Sequence, residues 1–227
     1  MRVSPVQVSA AVAKGKAGAG GQLRIVGGRY RGRRLPIPSQ PGLRPTMDRT
    51  RETLFNWLAP VIAGSRCLDC FAGSGALAFE ASSRGAQAVC MLERSASVCR
   101  QLRANALKLG DESVKVVSVD ALAWLSASPV QQFDLVFLDP PFGRGLLGPA
   151  CDLLHRRGWL APGAMVYLEA SVADGFPALP PGWMLLRDKR AGAVRFGLVG
   201  LESKSGSGLE PDLGLAPKLS SNDTLAG

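Results

Sequence analysis

Leu68-Asp69-Cys70-Phe71-Ala72-Gly73-Ser74-Gly75-Ala76-Leu77 is the stretch on which the fold turns. The apolar run from Cys67 to Phe71 reads as a buried strand, and the residues after Gly75 read as a helix. Between them, Gly73 and Gly75 permit a tight turn and a close approach of backbone to ligand. Open α/β sheets bind ligands at this point, at the carboxyl end of a strand. The Gly-x-Gly alone is a weak signal. Ala78 stands where a dinucleotide fingerprint has its third glycine, a replacement which that fingerprint tolerates.

Strand and helix patterns continue to alternate on the carboxyl side. Strands are expected at 66–71, 88–92, 114–119, 133–138, 164–169, 183–187 and 193–199, and helices at 76–84, 95–109, 121–127 and 147–157. Helix-length spacers between the first four strands imply parallel pairing with helices on both faces. Only Lys189-Arg190-Ala191-Gly192 marks the gap between the last two strands, too short for a crossover. That pair should be an antiparallel hairpin at the sheet edge. The fold class is therefore α/β, a Rossmann-like and mostly parallel sheet whose last strand runs antiparallel.

Four zones separate by composition: a disordered tail over 1–22, a basic β-hairpin over 23–45, the alternating domain over 46–200 and a second disordered tail over 201–227. Thr46 is the expected cap of a helix that runs to about Leu58, with Asp48 at its positive end. Leu54, Trp57, Leu58 and Val61 should form its buried stripe. Glu80, one turn into the helix after the glycine loop, fits either an exposed surface or a brace for the loop.

The chain has 227 residues, of which 46% are hydrophobic, enough for one sizeable core. No apolar run approaches membrane-spanning length, and no secretory leader pattern follows Lys14 and Lys16. A cytoplasmic monomer is expected. Cysteines 67, 70, 90, 99 and 151 are odd in number and read as reduced thiols. Cys67 and Cys70 lie three apart on a strand, so they face opposite ways and cannot share an ion. His155 is the single histidine, and no metal is expected.

Net charge is +9, and it is concentrated. Residues 1–50 hold ten arginines and lysines against one acid, Asp48, so the remainder of the chain is neutral. Arginines pair bidentately with phosphate. Arg24, Arg29, Arg31, Arg33, Arg34, Arg44 and Arg49 are therefore expected to contact nucleic acid. On the hairpin, Arg29, Arg31 and Arg33 would share one face, with Tyr30 on the other.

Acidic residues at strand ends define the cofactor. Asp69 sits just before the glycine loop, where its carboxylate would repel a pyrophosphate and attract the cationic amino group of S-adenosylmethionine. Glu93 ends the next strand and can accept both ribose hydroxyls, which suits NAD equally well, so Asp69 is the discriminator. Asp120 can accept from the adenine amine while Ala121 supplies a backbone donor, although Asp120 is equally suited to cap the helix that follows. Phe71, Ala72, Gly73, Ser74 and Gly75, together with Arg94 and Thr46, complete the expected cofactor contacts.

The buried strand Phe133–Leu138 delivers Asp139-Pro140-Pro141-Phe142 to the same edge. An exocyclic amine on a base is a poor nucleophile because its lone pair is delocalised into the ring. The Asp139 carboxylate and the Pro140 carbonyl can each accept one N–H, which favours a tetrahedral nitrogen and stabilises its developing positive charge. Pro140 and Pro141 fix the backbone, and Phe142 can stack on the base.

Arg24 to Leu35, Arg44 to Leu58, Leu68 to Leu77 and Asp139 to Phe142 together resemble the RsmD-type methyltransferases, over about residues 23–200. That family methylates the N2 amine of a guanine in 16S ribosomal RNA. The resemblance implies a class I S-adenosylmethionine methyltransferase sheet with an RNA-touching N-terminal hairpin. It also implies that Arg44 to Arg49 lie near the cofactor and substrate pocket. The expected partner is ribosomal RNA or the small ribosomal subunit. Competing readings are adenine-N6 or other exocyclic-amine methylation on RNA or DNA, a non-catalytic RNA-binding or assembly module, and, more distantly, an NAD-dependent oxidoreductase.

Overall fold

The computed structural model describes residues 21–37 and 48–201. The expected tails lie almost wholly outside these residues, as do Arg44 and Thr46. In chain order the elements are β1 (Gln22–Arg24), β2 (Arg34–Pro36), α1 (Asp48–Trp57), β3 (Arg66–Asp69), α2 (Ala76–Ser83), β4 (Ala88–Glu93) and α3 (Ala96–Leu109). They continue with β5 (Val114–Ser118), α4 (Ala121–Leu125), β6 (Phe133–Leu138), α5 (Leu147–Arg157), β7 (Leu160–Ser171), β8 (Trp183–Ala191) and β9 (Val194–Leu201).

β3 to β9 form one sheet in the order β5-β4-β3-β6-β7-β9-β8. β3 through β7 pair in parallel, while β9 runs antiparallel between β7 and β8. The strand order reverses between β3 and β4 on one side and β6 on the other, which is the switch point that opens a crevice at the carboxyl edge. Helices cover both faces. One apolar cluster joins Leu54, Phe79, Leu102, Phe137 and Tyr167, and the opposite one joins Leu68, Leu92, Leu138, Leu154 and Leu168. Cys67 lies in the first cluster and Cys70 in the second, as strand alternation requires. All five cysteines are free and buried. Among the described residues no cluster of potential metal ligands forms, and no helix is long and apolar enough to cross a membrane.

Three elements differ from expectation. β7 begins four residues earlier than the apolar run suggests. Leu160 pairs with Phe133, and the register then shifts before Leu135 meets Met165. Pro162 has no N–H, and Gly163 has φ 72°, so the strand bulges there instead of ending. β8 continues through the polar residues Arg187 to Arg190 because it is an edge strand, paired only with β9 and exposed to solvent. The hairpin turn is correspondingly tighter, at Gly192-Ala193.

α1 is also rotated from the expected stripe. Thr50, Arg51, Leu54 and Phe55 are its buried residues, and Leu58 just beyond it is buried as well. Trp57 and Val61 are half-buried, and Trp57 stacks on Phe196 at a centroid distance of 5.6 Å. An arginine in the buried stripe is invisible to hydrophobic periodicity, and it proves central to the attachment of the N-terminal ribbon.

Candidate active site

Four acids stand in a row along the carboxyl edge. In spatial order they are Asp120 after β5, Glu93 at the end of β4, Asp69 at the end of β3 and Asp139 after β6. Parallel pairing places these strand ends side by side, at a spacing of about 4.8 Å per strand.

The glycine turn is bound tightly into this edge. Gly73 and Gly75 have φ of 50° and 78°. A Cβ on Gly75 would lie 2.6 Å from the Phe79 ring, so both the conformation and the space require glycine. Glu93 accepts from Gly73 N at 3.1 Å and from Ser95 N at 2.7 Å, leaving lone pairs on both oxygens for hydroxyl donors. Asp69 is buried and accepts from Phe71 N at 3.3 Å. Burial pushes its carboxyl up to about 7; the Phe71 amide opposes this, and the nearby Glu93 charge adds to it. Among the described residues no lysine or arginine pairs with Asp69. Asp120 is exposed and caps α4 by accepting from Ala123 N at 3.0 Å. Ala72, Ser74 and Ala121 are buried, Phe71 is half-buried and Arg94 is exposed.

β3 and β6 are joined up to the site, where Cys70 N donates to Phe137 O at 3.1 Å. Beyond β6, Pro140 is buried, Asp139 is half-buried and Phe142 is 41% exposed. Pro140, Pro141 and Phe142 line a cleft of about 400 Å³ with Leu147, Glu169 and Gly175. Asp139 does not line it, nor do Asp69, Glu93 and Asp120, so the cleft meets the expected site only at Pro140, Pro141 and Phe142. Gly143 N donates to Asp174 at 3.2 Å across the cleft mouth.

Tyr167 and Glu169 on β7 were absent from the expected site. The buried Tyr167 hydroxyl donates to Glu169 Oε2 at 2.6 Å. Burial raises the Tyr167 pKa, as do the charges of Glu169 and Asp139. Burial also raises Glu169, against the lowering effect of the Tyr167 donor. The signal was present in the sequence, since Glu169 closes the apolar run Met165–Leu168 just as Glu93 closes its own.

The ribbon of β1 and β2 is antiparallel and continues through Ile25 N to Arg33 O at 3.0 Å. Arg29, Arg31 and Arg33 do not share a strand face. They lie in consecutive turns between the strands, because Gly28 and Gly32 have φ of 72° and 82°. A Cβ on Gly28 would fall 1.9 Å from Ser83 O. The glycine thus lets the ribbon rest on the end of α2, where Arg29 N donates to Ser83 O at 2.7 Å.

Several arginines in and around the ribbon are engaged within the molecule. Arg24 pairs with Asp48 at 2.9 Å, Arg29 pairs with the buried Asp111 at 3.0 Å, and Arg33 donates to Lys108 O at 3.2 Å. Arg51 is fully buried between Asp48 and Glu80 and donates to Arg24 O at 2.8 Å. Glu80, also fully buried, accepts from Val26 N at 2.9 Å and pairs with Arg84 at 2.8 Å. Glu80 therefore braces the ribbon and not the glycine loop. Arg31, Arg34 and Arg49 are exposed, and among the described residues their side chains make no hydrogen bond or ion pair.

The family described as conserved hypothetical protein 95 matches residues 23–200. Ribosomal RNA small subunit methyltransferase D of Escherichia coli strain K12 is 49% identical over 187 residues, covering 82% of this chain and 94% of that protein. Its namesake in Haemophilus influenzae is 46% identical over 183 residues, covering 79% and 94%. The solved structure of yhhF, a methyltransferase candidate of Escherichia coli, has a TM-score of 0.76 and 47% identity, covering 81% of this chain and 100% of that one. Sheet order and relatives agree on an enzyme of the class I methyltransferase fold. Within that class, the chain belongs to the conserved hypothetical protein 95 family, the RsmD-type methyltransferases.

Proposed function

We propose that this chain transfers a methyl group from S-adenosylmethionine to the exocyclic N2 amine of a guanine in small-subunit ribosomal RNA. The observation that carries the reading is Asp139-Pro140-Pro141-Phe142 directly after β6, beside the strand whose end carries the glycine turn. The names of the relatives support the choice of RNA.

The residues present fit the cofactor. Two neighbouring carboxylates, Asp69 and Glu93, lack a basic partner among the described residues, and burial holds one of them up at about 7. A cationic amino group beside Asp69 relieves that cost, and the remaining Glu93 lone pairs suit a ribose diol. When bound, the cofactor supplies an electrophilic methyl group. Asp139 and the Pro140 carbonyl accept the amine N–H groups, and the Asp139 charge stabilises the cation that develops on nitrogen as the N–CH3 bond forms and the S–CH3 bond breaks to leave a neutral thioether. One N–H proton is then lost to water, which restores the neutral amine. Pro140 and Pro141 hold these acceptors in place, and the Phe142 ring stacks on the base. Exposed arginines outside the internal network anchor the phosphates.

Nucleoside mass spectrometry of small-subunit rRNA from a strain lacking the gene tests the reading. Loss of N2-methylguanosine, restored by the wild-type chain and not by Asp139→Ala, is expected. An unchanged N2-methylguanosine level would refute it, and loss of N6-methyladenosine would move the assignment to adenine.

A further inference from the structure

We propose that Glu169 is the residue that reads the target base as guanine, by accepting the ring N1–H beside the amine that Asp139 holds. This inference rests on the amine-methylation reading above and adds the group that recognises the base.

Strand register carries the argument. β6 and β7 pair in parallel with Phe137 opposite Tyr167 and Leu138 opposite Leu168. Continued one residue past the end of β6, that register aligns Asp139 with Glu169. Phe137 and Tyr167 face one apolar cluster, while Leu138 and Leu168 face the other. Alternation therefore puts Asp139 and Glu169 on the same face, on adjacent strands, at the carboxyl edge.

Glu169 is only 6% exposed, yet it borders the cleft beside Pro140 and Phe142. Its hydrogen bond from Tyr167 engages Oε2. Among the described residues, Oε1 receives no bond. With Oε2 held by Tyr167, the second carboxylate oxygen keeps lone pairs that can accept from a donor on a base in the cleft. Guanine carries two kinds of N–H side by side on one edge, the N2 amine and N1–H. Adenine presents an amine next to a bare N1 lone pair. A carboxylate at that second position attracts guanine and repels adenine. A site built to receive a donor rejects an analogue that lacks it far more strongly than a shape-based pocket would.

The test uses small-subunit rRNA assembled by splinted ligation around a synthetic oligonucleotide, both free and reconstituted into subunits. The methylated position carries either guanine or 2-aminopurine, which keeps the C2 amine and replaces N1–H with a lone pair. Wild type should prefer guanine by about a hundredfold or more in kcat/KM. Glu169→Gln, whose amide can donate to that lone pair, should reduce this preference by about tenfold or more while lowering the rate on guanine. Tyr167→Phe, which removes the hydrogen bond that aligns Glu169, should reduce the preference severalfold. It decides the matter if Glu169→Gln does not fold. Equal losses on both bases in the variants, or a wild type that accepts both bases alike, would overturn the role of Glu169. Absence of any N2-methylated product from wild type on guanine would instead refute the amine-methylation reading.

Discussion

The carboxyl edge of the sheet and the N-terminal ribbon both concentrate charge, but they use it differently. The edge acids Asp69, Glu93, Asp120 and Asp139 each follow an apolar run, and the acids at β3 and β4 carry no basic partner among the described residues. Charges in and around the ribbon are largely neutralised internally, through Arg24 with Asp48, Arg29 with Asp111, and Arg51 and Arg84 with Glu80. A charge at a strand end is held by the sheet at the edge where ligands bind. A charge in a ribbon that must dock on a helix serves first as a fastener. Composition counts both kinds alike.

Asp139→Ala sharpens this contrast most. It should lower kcat by about a thousandfold, the scale of removing one preorganised electrostatic group, and leave S-adenosylmethionine affinity within about twofold of wild type by calorimetry. Comparable losses of affinity and rate would mean that Asp139 is a cofactor residue, and the row of acids would then have a single role.

Glu80→Ala probes the ribbon at its fastener. It leaves the buried Arg51 facing Asp48 alone and removes the acceptor of Val26 N. Breaking a buried pair from one side costs about 3–5 kcal/mol. Unfolding in urea should show a loss of that order, with RNA affinity falling as the ribbon detaches. A stability change below about 1 kcal/mol would show that the network is dispensable.

Asp69→Asn separates a ligand acid from a structural one. The folded value of about 7 lies above the ordinary 3.8, so the folded state holds this proton more tightly than the unfolded chain. The stability contribution is complete below about pH 4 and is lost as pH rises toward about 7. The variant should therefore melt higher than wild type at pH 8 and show little difference at pH 4. Its affinity for S-adenosylmethionine should fall, along with the wild-type gain in affinity between pH 6 and 8. Thermal scans and calorimetry at these pH values check both halves. A variant that melts lower at pH 8 would contradict the burial argument.

What could be read in advance follows the same division. Parallel order, the terminal hairpin, the glycine turn and the edge acids all arise from runs a few residues long, and such runs carry their own signal. The partners of Arg24, Arg29 and Glu80 lie 24, 82 and 54 residues away, so no local pattern could show them. Arg51 escaped because a buried arginine looks polar to a periodicity count. Glu169 was legible by the strand-end rule that found Glu93, but β7 runs two residues past it, which blurs the end of the strand.

The remaining arginines give the smallest expected effect and the cleanest contrast. Deleting residues 23–37 would not isolate their role, because Leu23, Ile25, Leu35 and Ile37 are buried with the main core and the ribbon supplies the Glu80 contact. Arg31, Arg34 and Arg49 can be changed individually, since their side chains reach solvent without partners among the described residues. Changing all three to alanine should leave the melting temperature within about 1–2 °C, as expected for surface positions. If these side chains meet phosphate, the slope of log affinity against log salt should flatten by about 2 to 3, and binding should weaken evenly across RNA sequences. Arg24→Ala should do the reverse, lowering stability by loosening Asp48 and Arg51 while moving the salt slope by less than about 1. Filter binding at several salt concentrations, paired with thermal scans, reads both quantities. If the triple variant keeps the wild-type slope, RNA is gripped elsewhere, and the ribbon is a structural brace throughout.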